Sequence, residues 1–340
     1  MKKRAFCVAV ALLAGCAAPP FALRQAQGDV AQGRLAQDRL AQVDGSQQIS
    51  TSGDRLWTNG ACQFRPFSGL CIFSYPRGRY ITWLEFYGGG GPAYDLCADK
   101  HGHVFVLEGG ADSGGFGILV YGTDGRGFRV LNDQENRWAG GCAADAKTGD
   151  LAVANVAQSG QRGNLVIFSQ ARGLPKPYTI SNLFSYDYCA YDASGDLFVD
   201  GTDKDGTFVL DERVAGERNF TAVTLDRRVR VAGPVQWDGR NLALGYADDQ
   251  GASIYRVNVR GSEGRVIATT RLLGPGSTHV SVGPFWIQGD RIVASYFKDA
   301  HSYPIGVWKY PDGGQLMRTI HRGGNAHGQR TVTVGVGQSR

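Results

Sequence analysis

An aspartate recurs along this chain at almost even intervals, and that rhythm restricts the fold more than any other feature. Asp99, Asp145, Asp192 and Asp238 are separated by 46, 47 and 46 residues. Each opens the same phrase. A turn rich in Asp or Gly leads into alternating apolar residues, then a second strand-like run ends on another turn. The copies pair Asp99–Val106 with Ile118–Tyr121, Asp145–Val153 with Leu165–Phe168, Asp192–Val199 with Thr207–Leu210, and Asp238–Leu244 with Ser253–Val257. A fifth pairs Gln288–Ala294 with Gly306–Tyr310, and a worn one stands first, Ser52–Trp57 with Leu70–Tyr75.

Units of this length with room for four short strands each cannot bury both sheet faces alone, so they must stack and close. Six units predict an all-β, six-bladed β-propeller of four-stranded antiparallel blades over residues 50–340. Composition agrees, because 49 glycines for turns and 11% aromatics suit many short strands. Thr331-Val-Thr-Val334 is a candidate closing strand against the first unit. The even spacing disfavours a pair of β-sandwiches, and a seven-bladed ring is the nearest alternative. The repeat resembles six-bladed propellers of the NHL type; the likeness rests on rhythm and implies fold more than function.

Residues 1–15 read as a secretion signal. Met1-Lys-Lys-Arg4 is a positive start, and Ala5–Ala14 is apolar but too short for a spanning helix. The segment ends in Leu13-Ala14-Gly15-Cys16, which resembles the lipobox of bacterial lipoproteins. That resemblance implies cleavage before Cys16, lipidation of its thiol and anchoring in the cell envelope. With Ala17 next, it points to the outer membrane in a diderm cell. Residues 16–49 repeat every five residues (Ala26-Gln, Ala31-Gln, Ala36-Gln, Ala41-Gln), a period matching neither helix nor strand. They predict a low-complexity tether reaching on the order of 30 Å. Net charge is +5, but without Lys2, Lys3 and Arg4 there remain 33 basic and 31 acidic residues, a net of +2. Such a balance offers no basic stripe for nucleic acid.

Export permits disulfides. Apart from Cys7 and Cys16, five cysteines remain, an odd number. Cys62 and Cys71 flank a Pro/Gly-containing loop and are the expected bridge. Cys97, Cys142 and Cys189 fall in different units and are expected to be buried, unbonded small residues.

The first strand of each unit should line the central channel. Tyr94-Asp95-Leu96-Cys97 and Tyr186-Asp187-Tyr188-Cys189 repeat one phrase there, Trp138-Ala-Gly-Gly-Cys142 stands between them, and His279 lies at the matching place further on. Tyr94, Asp95, Trp138, Tyr186, Asp187, Tyr188 and His279 therefore form the candidate ligand site. It would offer carboxylates to a cation or sugar and aromatic faces to an apolar part. The competing reading makes the aspartates turn caps and the aromatics packing. Asp203-Lys-Asp205-Gly206 only partly matches a calcium loop, since its flanks read as strands. His101 and His103 sit in a turn with no third ligand at useful spacing, and His321 and His327 fall in a Gly-rich stretch.

No nucleophile elbow, HExxH, Walker loop or CxxC is present, so no catalytic residue, metal or cofactor is assigned. The expected function is a monomeric, membrane-anchored binding or scaffold module with a protein, glycan or small-ligand partner in the envelope. The alternative is a metal-dependent lactonase or esterase of the six-bladed propeller type. It would need several carboxylate and amide ligands converging in the channel, and only Asp95 and Asp187 stand out.

Overall fold

The computed structural model describes residues 53–59, 69–85, 93–109, 116–125, 127–133, 138–230, 233–248, 251–278, 280–297, 303–320 and 332–335. The expected signal segment and tether, with Cys16, lie outside them.

The Asp-led turns are what the rhythm encodes. Asp99 Oδ1 accepts the N–H groups of His101 and His103, and Asp192 Oδ1 accepts those of Ser194 and Asp196. Asp238 Oδ1 likewise takes the N–H groups of Arg240 and Asn241. Each carboxylate thereby fixes the hairpin between the first two strands of its blade.

Six sheets result. The second blade joins β4 (Ala93–Ala98), β5 (Val104–Gly109), β6 (Phe116–Tyr121) and β7 (Phe128–Asp133). The third joins β8 (Ala139–Ala144), β9 (Leu151–Asn155), β10 (Asn164–Phe168) and β11 (Lys176–Tyr178). In the fourth, β12 (Ser185–Tyr191) precedes β13 (Leu197–Thr202), β14 (Phe208–Arg213) and β15 (Thr221–Ala222). The fifth runs β17 (Val235–Trp237), β18 (Leu242–Asp248), β19 (Gly251–Arg260) and β20 (Glu263–Arg271), and gains β16 (Thr224–Leu225) parallel to β20. The sixth is β21 (Val282–Gln288), β22 (Arg291–Tyr296), β23 (Ile305–Lys309) and β24 (Leu316–Ile320).

The first blade is made from both ends of the domain. β1 (Arg55–Asn59), β2 (Gly69–Ser74) and β3 (Tyr80–Glu85) follow in order, and β25 (Val332–Gly335) pairs antiparallel with β1 as the innermost strand. The expected closing strand is therefore in place. Innermost strands neighbour one another in the order β25, β4, β8, β12, β17, β21 and back to β25, which closes a six-bladed ring.

Burial follows from this stacking. Leu56, Cys71 and Phe73 of the first blade pack against Val293 and Val307 of the sixth, while Trp57, Leu70 and Ile72 pack against Leu96, Val104 and Val106 of the second. Alternate side chains thus serve opposite blade interfaces. Six apolar clusters, one at each interface, make up the core. Both faces are covered, so second strands such as β9 carry continuous apolar runs, here Leu151–Ala154, followed by a buried Asn155.

Candidate functional site

A cavity of about 310 Å³ lies where the innermost strands of five blades converge. Its walls run from Asp95 and Tyr188, midway along β4 and β12, to the first-turn rim at Ala146, Ala193 and Gly239. Alanines 98, 143, 144 and 190 leave the room, and Trp237, Phe285 and Trp286 supply aromatic surface. Asp95 and Asp192 are the charged lining residues; no Lys, Arg or His lines the space among the described residues. Asp192 is occupied in its turn, whereas Asp95 is not a turn residue.

Asp95 is 7% exposed. Its Oδ2 accepts the Cys142 N–H (3.2 Å), and the Leu96 N–H also bonds its carboxyl. Burial pushes the carboxyl up to about 7 against those two donors. Tyr188 lies beside it, and burial together with the nearby charges of Asp95, Asp200 and Asp187 raises its phenol well above the ordinary range. Asp200 on β13 is fully buried, takes the Tyr188 N–H on Oδ1 (2.9 Å), and is shifted far up by desolvation. Asp187 accepts from the Ser185 hydroxyl (3.0 Å) and is likewise raised by burial. Three carboxyls therefore act on the Tyr188 phenol, and none forms an ion pair among the described residues.

The sequence phrase Tyr-Asp-x-Cys is one residue out of structural register. Counted from the turn aspartate, Cys97 stands two residues back, but Cys142 and Cys189 stand three back. In the ladders, Leu96↔Val106, Cys142↔Val153 and Cys189↔Val199 share a level, so Asp95 matches Gly141 and Tyr188. Asp187 instead sits at a β-bulge, as do Tyr94 and Gly140 at the same height. A slip of one residue exchanges the faces of a strand. Asp95 and Asp187 are consequently not symmetric members of one ring.

Of the residues expected at the site, Asp95 and Tyr188 line the cavity. Tyr94 stacks on Trp138 (6.1 Å between centroids, 22° between planes) away from it. Tyr186 is fully buried in the interface of the third and fourth blades, its hydroxyl donating to Ile180 O (3.2 Å) and accepting from Ile180 N–H (2.6 Å). His279 lies outside the described residues. Sequence reasoning missed Asp200, Trp237 and Trp286. Asp200 had a signal: it interrupts Leu197-Phe198-Val199 where Leu107 and Ala154 continue the other runs. The tryptophans had none, because their blades lack the shared phrase.

The cysteine expectation needs correction. Cys97 and Cys142 form a disulfide across neighbouring inner strands, with Cα atoms 5.8 Å apart, and Cys189 is a buried free thiol. Gly140 and Gly141 serve the approach of β8 to its other neighbour, β12. A Cβ on Gly140 would collide with Asp187 O, and one on Gly141 would stand 2.8 Å from the Tyr188 ring. The register offset then faces Cys97 toward Cys142 in the shared cluster of the second and third blades. Cys71 is buried and disulfide-bonded; Cys62, its expected partner, lies outside the described residues.

No protein-family model matches the chain, and no curated protein matches it either. Solved structures do. A chain in the crystal structure of a nidogen/laminin complex aligns over 84% of this chain and 100% of its own, with a TM-score of 0.62 and 11% identity. The β-propeller domain of Myceliophteria thermophila Cps50 (Swd1) aligns over 79% and 87%, with a TM-score of 0.50 and 12% identity. At such identities the likeness establishes the propeller fold and nothing finer.

Proposed function

We propose that this chain is an exported, lipid-anchored binding protein that presents an NHL-like propeller to an envelope partner or small ligand, with the channel cavity as its ligand site. The observation that carries the proposal is the cavity itself. It combines a volume typical of small-molecule pockets, apolar and aromatic walls, and one buried carboxyl that serves no turn. Bulges at one height on three neighbouring inner strands support it, because bulges re-aim side chains beside binding sites. The anchor rests on Cys16 and the segment before it. No helix among the described residues is long and apolar enough to cross a membrane.

The lactonase-like reading fits less well. Among the described residues no three His, Cys, Asp or Glu side chains converge to hold a divalent ion. Asp187 is turned to Ser185, and one Asp95 oxygen is taken by Cys142 N–H.

A thermal-shift screen of the full chain against sugars, cell-wall fragments, lactones and divalent metals tests the ligand site. A ligand at about 100 times its dissociation constant should stabilise the fold by roughly 2.7 kcal/mol. The shift should vanish in Asp95→Ala/Asp187→Ala. A folded protein with no hit anywhere excludes the cavity site and leaves a protein partner on the rim. For the anchor, Cys16→Ser should move the chain from the membrane fraction to the soluble one.

A further inference from the structure

We infer that the channel cavity takes an organic ammonium ion, a cation with an apolar body. This inference rests on the cavity being a ligand site and names the ligand's chemistry. The charge balance is one-sided. Asp95 contributes a carboxyl to the inner end of the space, Asp187 and Asp200 lie near enough to act on the adjoining Tyr188, and no basic side chain lines the cavity among the described residues. Buried carboxyls without a cationic partner are costly, and a bound cation relieves that cost.

A point cation is poorly served, because these carboxyls do not converge into a set of three. Asp200 is already engaged by the N–H groups of Tyr188 and Gly233. A diffuse organic cation needs only one carboxyl and aromatic faces to lie against. Trp237, Trp286 and Tyr188 supply such faces. The Trp237 indole N–H is enclosed and without a hydrogen-bond partner among the described residues, so what this side chain gives the cavity is ring surface.

Calorimetric titration of the full chain with two matched pairs tests this. Choline is set against its uncharged isostere 3,3-dimethylbutan-1-ol, and 2-phenylethylamine against 2-phenylethanol. At least one cation should bind, more tightly than its uncharged partner by at least about tenfold. Asp95→Asn should remove that preference, and Trp237→Leu should weaken the cation in a protein that keeps Asp95. Equal binding of charged and uncharged partners overturns the cation inference while leaving a small-ligand cavity. A preference that survives in Asp95→Asn overturns the role of that carboxyl. Binding by neither pair also overturns the inference; hits with sugars or cell-wall fragments in the wider screen would still uphold the cavity as a site.

Discussion

Asp95 is enclosed, bonded by backbone N–H groups and unpaired with any cation among the described residues, which makes it a source of pH-dependent stability. Its folded value of about 7 lies above the unfolded carboxyl range near 4, so between these values the folded chain keeps a proton that the unfolded chain releases. The contribution is full below about pH 4 and is lost as pH rises through about 7. Asp187 and Asp200, which face the same Tyr188, shift in the same direction, as does Glu108 at about 7. Cys189 and Tyr188, the other titratable groups facing Asp95, are raised far out of this range. The melting temperature should therefore fall from pH 5 to pH 8. Asp95→Asn should flatten part of that fall, by roughly 3 kcal/mol at most. Parallel curves for the two proteins would show that Asp95 does not titrate in this interval.

At the scale of elements, the tie between β4 and β8 controls how the inner strands meet. The disulfide spans 45 residues of sequence, and the loop-closure entropy it removes from the unfolded chain is worth about 4 kcal/mol. Cys97→Ala/Cys142→Ala should melt lower under oxidising conditions and keep only the sensitivity to dithiothreitol that comes from the bridge at Cys71. A melting point unmoved by either change would contradict the bridge. Gly140→Ala should cost about 1–3 kcal/mol, because its methyl group meets the Asp187 carbonyl of the next blade and not a yielding side chain. A neutral substitution would mean that β8 and β12 do not approach as described. These elements also mark where sequence reading stopped. The turn aspartates were legible because each is bonded locally, within four residues of its own position. The Cys97–Cys142 bond was not, because it depends on the close approach of strands from two blades. Aligning the Tyr-Asp-x-Cys phrases by composition hid the offset. Counting back from the turn aspartates would have exposed it, since the hairpin fixes the register and the bulge then absorbs one residue.

At the scale of the whole molecule, closure makes six marginal sheets into one core. Leu56 and Val334, adjacent across the β1–β25 ladder, lie in the cluster that joins the first and sixth blades. Removing residues 331–340 exposes this interface and should abolish a single cooperative melt, with limited proteolysis cutting between blades. A truncated chain that melts as sharply as the full one would mean the ring does not depend on β25. Ring and closure were legible because repetition amplifies a weak local pattern. The ligand site was only partly so, because a channel cavity is assembled from short stretches of five strands far apart in sequence. On this reading the cavity is where the protein binds. Ala146 and Ala193 are exposed on its rim and belong to none of the six apolar clusters. Calorimetric titration of the tightest ligand from the screen into the wild type and into Ala146→Trp/Ala193→Trp tests the claim most directly. The blocked protein should keep its melting point and lose affinity by at least about tenfold. Undiminished binding would place the ligand elsewhere on the propeller.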